Sequence, residues 1–484
     1  MKLKILLLLL GLHRVLFAQN FTEVTQFSSF EGVRSSSIAF ADVDGVGDED
    51  VLITGRNNSF TFISKLYTND GMGSFNEVMG TPFEGVWAGS IAFADVDGDG
   101  DEDVLITGVN SSNTRISKLY TNDGMGSFSE VMGTPFDGVV DGSIAFADVD
   151  GDGDEDVLIT GRNTSNARIS KLYTNDGMGS YSEVMGTPFD GVDFGSIAFA
   201  DVDSDGDEDV LITGLIGPAS ISKLYTNDGM GSFNEMTSTS FENVFISSVA
   251  FADVDGDGDE DVLMTGEKSC GLPDTKLYIN DSMGSFSEMA DTPFDNVLDG
   301  SIAFADVDGD GDEDVLITGL SISFSSVTKL YTNDGMGSFS EMMDTPFDGV
   351  FSSSIVFADV DGDGDEDVLI TGEDNSNISI SRLYINDGVT SSADNLFANL
   401  SLSLTPFPNP AISDNLSISF ESTESNPAII RLYDLNGRLI SQQEEFVRIG
   451  EQAFVVDIAS LAIGSYFIQL ESGKKRGVAK FVIK

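Results

Sequence analysis

Short apolar runs separated by turn residues recur along most of this chain. In the segment Ser90–Gly142, large and small apolar residues alternate over Ile91–Val96, and further short runs cover Asp103–Thr107, Ile116–Thr121 and Ser127–Val131. Runs of this length and alternation predict β-strands. Because helical periodicity is missing from the pattern, we expect an all-β protein in which each such segment forms four strands.

The segment occurs in seven copies, spaced 53 residues apart with one step of 52. The first aspartates of the copies are Asp42, Asp95, Asp148, Asp201, Asp253, Asp306 and Asp359. Four-stranded units of about 40–50 residues have the size of β-propeller blades. The repeat therefore predicts seven blades around a central axis.

The two ends of the repeat region predict that the ring of blades closes. The seventh copy stops after Leu383–Gly388 and lacks its fourth strand. At the start of the chain, Phe21–Val24 followed by Phe30–Val33 matches Phe75–Val78 followed by Phe83–Val86. The first strand of the chain can thus complete the last blade and leave no open edge. An open solenoid is the alternative, but it has no use for this permutation.

An acidic loop separates the first and second strands of each copy. In the second copy it reads D-x-D-x-D-G-x-x-D over Asp95–Asp103. Carboxylates at loop positions 1, 3, 5 and 9, a glycine at 6 and the carbonyl of Asp101 at 7 suit a hard cation. Carboxylates this close repel one another unless a positive charge lies among them. Ca²⁺ fits a flexible all-oxygen loop better than Mg²⁺, and a set of solvated acidic turns is the alternative.

The first residues predict export. Lys2 and Lys4 precede an apolar run over Ile5–Leu12, and the small residue Ala18 ends the segment. This is the form of a secretory signal peptide over residues 1–18. The apolar run is too short to span a bilayer, and the sequence has no later segment that is long and apolar enough.

Composition narrows the classes of function. The chain has 484 residues and a formal net charge of −57, which should repel nucleic acid and anionic membranes. Its only cysteine is Cys270, so we expect no intrachain disulfide. Its only histidine, His13, lies in the predicted signal peptide. The mature protein should therefore have neither histidine-dependent catalysis nor histidine-ligated zinc.

The topology of an antiparallel blade places alternate connections on the same side of the propeller. The acidic loops and the Asn-Asp-Gly turns share one face, here called the acidic face. The connections between strands two and three and the crossovers to the next blade share the other, here called the crossover face. The acidic face is almost invariant among the copies and the crossover face varies. Mixed aromatic and charged residues there suit ligand binding, with unconstrained drift as the alternative. The candidate ligand-face residues are Arg34, Trp87, Asp193, Phe194, Phe245 and Phe351.

The acidic loop, the Asp-Val-Leu-Ile-Thr-Gly strand and the Leu-Tyr-x-Asn-Asp-Gly-x-Gly-Ser-Phe segment resemble the FG-GAP/VCBS repeat family, over about Phe21–Gly388. That family includes the propellers of integrin α-subunits. The resemblance implies a seven-bladed propeller over residues 19–388, a Ca²⁺ ion in each intact loop and ligands on the opposite face. The family includes adhesins, lectin-like proteins and enzymes, so the resemblance does not identify the partner.

The resemblance assigns metal ligands by position. In the first copy Val46 replaces the aspartate of position 5, so that site should be weak or empty. The carboxylate ligands are Asp42, Asp44 and Asp50; Asp95, Asp97, Asp99 and Asp103; Asp148, Asp150, Asp152 and Asp156; Asp201, Asp203, Asp205 and Asp209; Asp253, Asp255, Asp257 and Asp261; Asp306, Asp308, Asp310 and Asp314; Asp359, Asp361, Asp363 and Asp367. The position-7 carbonyls are those of Asp101, Asp154, Asp207, Asp259, Asp312 and Asp365.

The composition changes after the seventh copy. Residues 389–404 are rich in Ser, Asn and Asp and read as a linker. Residues 405–484 are nearly neutral and contain short alternating runs such as Leu416–Phe420 and Ser465–Leu470. They predict a small Ig-like β-sandwich.

This C-terminal segment resembles the sorting domain of the type IX secretion system of Bacteroidota. The matching features are Pro408-Asn409-Pro410, the segment Tyr433–Arg438, and Leu461, Gly464 and Tyr466. The resemblance implies passage through the periplasm, recognition by the secretion machinery at the outer membrane, and removal of the domain on release or surface attachment. A carbohydrate-binding or spacer β-sandwich is the alternative.

Together these features predict a secreted or surface-attached calcium-binding propeller, expected as a monomer, that binds an extracellular glycan or protein in cell adhesion. The competing class is a polysaccharide lyase or glycoside hydrolase, because glycoside hydrolysis needs only two carboxylates. Apart from the loop Glu267–Asp274, the sequence lacks the pattern-breaking copy that a catalytic site should produce. We therefore assign no catalytic residue. A purely structural surface spacer is the third option.

Overall fold

The computed structural model describes two stretches of the repeat region and much of the C-terminal region. The described residues are 21–24, 30–386, 404–407, 411, 415–422, 426–434, 439–448, 450–459, 461–462, 464–472 and 475–483. They contain strands and no helix, and the chain divides into two compact units, residues 1–389 and 390–484. The predicted signal peptide, linker residues 389–403 and the Pro408–Pro410 motif lie outside the described residues.

The first unit is the predicted seven-bladed β-propeller. In the second blade, Ile91–Ala94, Asp103–Asn110, Arg115–Thr121 and Ser129–Glu130 pair antiparallel in that order. The other blades repeat this arrangement. In chain order the strands of the propeller are Phe21–Glu23; Val33–Ala41, Asp50–Asn57, Phe62–Thr68, Asn76–Glu77; Val86–Trp87, Ile91–Ala94, Asp103–Asn110, Arg115–Thr121, Ser129–Glu130; Val139–Val140, Ile144–Ala147, Asp156–Asn163, Arg168–Thr174, Ser182–Glu183; Ile197–Ala200, Asp209–Leu215, Ser220–Thr226, Asn234–Glu235; Val244–Ala252, Asp261–Lys268, Pro273–Ile279, Ser287–Glu288; Val297–Leu298, Ile302–Ala305, Asp314–Ser321, Ser326–Thr332, Ser340–Glu341; Val350–Ala358, Asp367–Asp374, Ser379–Asn386.

The bounds differ from the sequence prediction mainly at the fourth strand. Ser127–Val131 was expected to pair, but only Ser129–Glu130 does, with Thr121 and Tyr120. The N–H of Val131 still donates to the carbonyl of Leu119 at 2.9 Å, and the chain then turns at Gly133, whose φ is 85°. The second strand is longer than predicted and reaches Asn110.

The cores lie between neighbouring blades. One cluster joins Leu105 and Leu119 of the second blade to Val157, Ile159 and Tyr173 of the third. The second strand of each blade packs on both faces, and this explains its nearly unbroken apolar sequence. The same kind of cluster joins the first blade to the seventh.

The first strand of the chain closes the ring, as predicted. Phe21 pairs with Asn386 and Glu23 with Tyr384. The Phe21 ring lies 5.0 Å from that of Phe347, as an internal blade places Phe128 5.0 Å from Phe83. The prediction that the amino-terminal strand completes the seventh blade is thus confirmed.

A basic residue on the third strand joins neighbouring elements in every blade, which the sequence reading missed. Lys118 Nζ lies 2.7 Å from Glu84 Oε1 and 3.0 Å from Glu130 Oε2. In the seventh blade Arg382 takes this place, 3.0 Å from Glu23 on the first strand of the chain. This ion pair crosses the closure, so the closing strand carries the same electrostatic contact as the fourth strand of an internal blade.

The second unit is a small β-sandwich. One sheet contains Thr405–Phe407, Asn415–Ser422 and Gly450–Asp457, and the other contains, in spatial order, Leu439–Val447, Asn426–Asp434, Gly464–Ser472 and Lys475–Ile483. Ile418 of the first sheet and Ile430, Ile468 and Phe481 of the second are buried in one core. The prediction of an Ig-like β domain is confirmed. Across both units, the described residues include no helical segment long and apolar enough to cross a membrane.

Candidate metal centres and the crossover face

The first aspartate of each acidic loop is fixed by the loop backbone. Asp95 Oδ1 accepts hydrogen bonds from the backbone N–H groups of Gly98 at 2.9 Å and Asp99 at 3.2 Å, and its Oδ2 accepts one from Gly100 at 2.9 Å. The φ of Gly100 is 92°, a conformation that favours glycine. The loop is therefore closed around its first carboxylate by its own backbone.

The last aspartate of the loop joins the loop to the Asn-Asp-Gly turn. Asp103 is 1% exposed, and its carboxylate accepts from the N–H of Val96 at 3.2 Å and of Asn122 at 2.7 Å. Asn122 Nδ2 in turn donates to the carbonyl of Val43 in the preceding blade at 2.8 Å. Loop and turn thus lie on one face, as predicted, and they also connect neighbouring blades.

The same connection crosses the ring closure. Asn69 of the first blade donates to the carbonyl of Val360 in the seventh blade at 2.8 Å. The N–H of Gly73 donates to the same carbonyl at 2.9 Å. The acidic face is therefore hydrogen-bonded around the complete circle of blades.

The loop carboxylates converge on common points. The groups whose ligand atoms lie within 4.8 Å of one another include Asp42, Asp44 and Asp50; Asp95, Asp97 and Asp99; Asp148, Asp150 and Asp156; Asp201, Asp203 and Asp209; and Asp253, Asp255 and Asp261. The first loop belongs to this set even though Val46 replaces its position-5 aspartate.

The aspartate at position 3 of each loop has a buried oxygen without a partner. Among the described residues, the Oδ1 atoms of Asp44, Asp97, Asp150, Asp203, Asp255, Asp308 and Asp361 are buried and accept no hydrogen bond. A buried acceptor without a donor is costly, and a cation between the converging carboxylates would satisfy it. The residues present therefore fit a bound cation.

Burial also raises the pKa of the position-9 carboxyls. It raises the pKa of Asp50, Asp103, Asp156, Asp209 and Asp261 to about 7, and that of Asp314 and Asp367 to about 8, in each case against the hydrogen bonds from the backbone and with help from neighbouring loop aspartates. Without a cation, these groups favour the protonated form near neutral pH. Metal binding must displace those protons.

In the calcium-free protein, we expect thermal stability to rise on acidification from about pH 8 to about pH 5.5. The position-9 carboxyls have folded-state pKa values above their ordinary value, so between the two values the folded chain binds more protons than the unfolded chain. The free energy of unfolding then falls as pH rises. Melting temperatures in EDTA across this range test the prediction. The calcium-saturated protein is the control and should change little, and a calcium-free protein that loses stability on acidification would contradict the prediction.

On the crossover face, the predicted candidate Asp193 lies inside a contact between two blades. It is 0% exposed. Its carboxylate pairs with Arg162 and, at 2.6 Å, with Arg168 Nε, both from the third blade. Arg162 also lies over the ring of the candidate Phe194, 5.6 Å from its centroid. Asp193 is thus held between blades, away from solvent.

Two other candidates occupy the corresponding contacts of other blades. Arg34 of the first blade pairs with the buried Glu373 of the seventh. Trp87 of the second blade stacks on Phe62 of the first, with ring centroids 5.7 Å apart. Part of the variation on this face is therefore complementary packing between particular neighbours. The candidates Phe245 and Phe351 are half-buried, and ligand contact by the six residues stays a prediction.

In each crossover, one residue follows the position of candidates such as Arg34 and Trp87. Together these following residues form a hydrogen-bonded arc that the sequence did not predict. These residues have φ between 43° and 54°, and they are Ser35, Ala88, Asp141, Phe194, Ile246, Asp299 and Ser352. Each of the six after Ser35 donates from its N–H to the carbonyl of the one before it, from Ala88 to Ser35 at 3.0 Å through Ser352 to Asp299 at 2.6 Å. Such a backbone is costly for Phe194 and Ile246, and the arc compensates with contacts among all seven blades.

The most exposed aromatic residues of this face were also missed. Phe60 and Phe324, at the tips of the loops between strands two and three, are 69% and 83% exposed. Their φ values are 60° and 57°, and the equivalent turns have Asn113, Asn166 and Asn377. Aligning the seven loops would have revealed phenylalanine at two positions that favour asparagine.

The comparisons with protein families agree with this architecture. The model of the FG-GAP-like repeat matches residues 42–106, 95–159, 148–212, 215–264 and 320–370, which together span more than half of the chain. The model of the secretion system C-terminal sorting domain matches residues 405–484. No curated protein matches the chain.

Several solved structures match at low similarity. A variant of the Aleuria aurantia lectin in complex with alpha-methyl-L-fucoside is 11% identical, covers 65% of this chain and 96% of its own, and has a TM-score of 0.38. AofleA from Arthrobotrys oligospora is 12% identical, covers 67% and 90%, and has a TM-score of 0.38. Fructan 1-exohydrolase IIa from Cichorium intybus in complex with 1-kestose is 10% identical, covers 96% and 92%, and has a TM-score of 0.33.

The sorting domain indicates the location of the protein. Its presence indicates export by the type IX secretion system to the cell surface or the extracellular space. Over most of the remaining chain, the residues matched by the repeat model coincide with the blades and with their acidic loops. This chain belongs to the FG-GAP-like repeat family.

Proposed function

We propose that this protein is an extracellular calcium-binding propeller that adheres to a glycan or protein through its crossover face. The observation that carries the calcium assignment is the set of buried position-3 oxygens, one in each loop, that accept no hydrogen bond among the described residues. Their carboxylate neighbours lie close enough to share one ion, and oxygen ligands alone favour Ca²⁺.

The carboxylates of positions 1, 3, 5 and 9 and the carbonyl of position 7 would hold the ion, which would neutralise the clustered charge. Hydrogen bonds connect each acidic loop to the neighbouring blade. In the second blade, Asp103 orients the backbone of Asn122, and Asn122 binds the first blade through Val43. Calcium in one loop is therefore expected to stabilise the contact with the blade before it.

The stoichiometry of calcium binding tests the ligand assignment. Six loops have all four predicted carboxylates, and the first has Val46 at position 5. In that loop Asp42 already accepts from the N–H groups of Val46 at 3.1 Å and Gly47 at 2.9 Å, so the loop is preformed. We expect Asp99→Ala to remove about one site and Val46→Asp to add about one, as measured by calorimetric titration.

The two substitutions are matched, because one removes and the other adds an aspartate at position 5 of a loop. A stoichiometry that changes in neither variant would contradict the assignment of position 5. Melting temperatures of both variants without calcium serve as the control, since neither substitution should change the free energy of unfolding of the metal-free protein by more than about 1 kcal/mol.

The adhesion role is supported by the contrast between the two faces and by export. The acidic face is almost the same in every blade, and the crossover face presents different side chains around the ring. Binding of the calcium-saturated protein to arrays of glycans and of extracellular proteins tests this role. Saturable binding that is lost on chelation supports it, whereas silence on both arrays contradicts it.

An enzyme acting on polysaccharides is the second candidate, and two carboxyls of the arc favour it. Burial raises the pKa of Asp299 to about 6 and also raises the pKa of Asp141. A carboxyl whose pKa is raised by burial is what a general acid needs. Release of new reducing ends or unsaturated sugars, abolished by Asp299→Asn, would identify this activity.

A further inference from the structure

Among the arginines that the structure describes on the crossover face, one has neither a counter-ion nor a hydrogen-bond acceptor. Arg34, Arg162 and Arg168 form ion pairs, and Arg115 donates to a backbone carbonyl and to Asn166 Oδ1. Arg56 differs from them. Among the described residues, its guanidinium makes no hydrogen bond or ion pair, and its Nε is buried without an acceptor.

The surroundings of Arg56 leave a net positive charge. Its register partner on the neighbouring strand is another arginine, Arg34. Glu373 balances only one of the two. Like charges directly opposite each other in a sheet are destabilising. Because Nε is buried, an added anion would contact the two terminal nitrogens of the guanidinium, where it would balance the excess positive charge.

Aromatic rings surround this guanidinium. Its carbon lies 5.3 Å from the ring centroid of Phe60 and 5.3 Å from that of Trp87. Trp87 is stacked on Phe62, but Phe60 is 69% exposed and has a free surface. Its φ of 60° is unfavourable for phenylalanine, which points to a role for the ring at this position.

The sixth blade provides an internal comparison. Phe324 occupies the same turn position with a φ of 57°, but the residue four positions before it is Leu320, where the first blade has Arg56. Within the described loops, an exposed phenylalanine and an unpaired arginine therefore occur together only in the first blade.

The chemistry of the pair selects its ligand. A guanidinium binds a carboxylate through two parallel hydrogen bonds, and an exposed aromatic ring offers an apolar surface to the C–H face of a sugar. A hexuronic acid has both features in one pyranose ring. A nucleic acid is disfavoured by the net charge of −57, and the flexible side chain of an acidic peptide has no flat apolar face for Phe60.

We propose that Arg56 and Phe60 bind a uronic acid residue of an extracellular polysaccharide. The proposal rests on the binding role of the crossover face given above. It specifies the first blade as the part of the face that binds and a uronic acid as the class of sugar. The carboxylate lies on the guanidinium of Arg56, and the pyranose ring packs on Phe60.

Calorimetric titration of the calcium-saturated protein with trigalacturonic acid tests this site, with the carboxyl-reduced trisaccharide as the neutral probe. We expect the acid to bind at least about tenfold more tightly than the neutral sugar, and Arg56→Gln to weaken binding of the acid about tenfold or more. Phe60→Asn should weaken it severalfold. Phe324→Asn is the matched control and should bind like the unchanged protein.

Arg56→Lys separates charge from geometry, because lysine keeps the charge but cannot form two parallel hydrogen bonds; we expect it to recover only part of the affinity. Unchanged melting temperature and calcium stoichiometry verify that each variant is folded. The proposal is overturned if trigalacturonic acid does not bind, if Arg56→Gln binds it equally well, or if an oligo-aspartate peptide binds instead and depends on Arg56. Binding of a neutral glycan or a protein that Arg56→Gln leaves unchanged would overturn this site and leave the proposed adhesion role intact.

Discussion

Excess EDTA is expected to lower the melting temperature of the propeller by on the order of 20 °C. If calcium binds as proposed, the six loops with complete ligand sets would each contribute about 2.7 kcal/mol at a calcium concentration about a hundred times the dissociation constant. Removing the ion would leave the buried carboxylate oxygens without a partner and would restore repulsion among the loop aspartates. Scanning calorimetry with and without EDTA measures the shift.

Two controls make the chelation result specific. Restoring calcium in excess should return the transition to its original temperature, whereas the same concentration of Mg²⁺ should restore only part of it, because Mg²⁺ requires a stricter octahedron. The combined variant with alanine at Asp97, Asp150 and Asp203 should respond less to EDTA than the unchanged protein. A transition that is unaffected by EDTA would show that the loops fold without metal.

A variant that lacks residues 21–24 is expected to melt at a markedly lower temperature and to associate. The lost strand pairs with Ser379–Asn386 and supplies the buried Phe21 and the Glu23 partner of Arg382. Loss of the aromatic ring alone costs about 3–5 kcal/mol. The deletion also exposes the edge of the seventh blade, and open edges pair with other chains. Calorimetry and light scattering after size exclusion measure the two effects.

Phe128→Ala is the matched control for the closing strand. Phe128 fills the same position in the second blade, 5.0 Å from Phe83, but its strand is joined to its own blade by the chain. We expect Phe128→Ala to lose stability and remain a monomer, whereas the deletion variant also forms dimers or larger species. A deletion variant that stays monomeric and melts at the original temperature would show that the ring does not depend on this strand.

The sequence alone was sufficient for the fold and for the place of the acidic loops. The number of blades follows from the repeat, because one copy of about 53 residues contains all four strands of a blade. The convergence of Asp95, Asp97 and Asp99 follows from their spacing within one tight loop. Closure follows from the match between Phe21–Val24 and Phe75–Val78. Each of these features can be recognised within a single copy of the repeat or by comparing the copies with one another.

Only the tertiary structure decided which side chains meet between blades. Asn122 donates to Val43, 79 residues earlier, and Asp193 is buried between two arginines of the preceding blade. The spacing within a copy is silent about such contacts, because they depend on how two blades pack against each other. The same holds for Arg56, whose missing counter-ion becomes evident only once Glu373 is seen to pair with Arg34 across the ring closure.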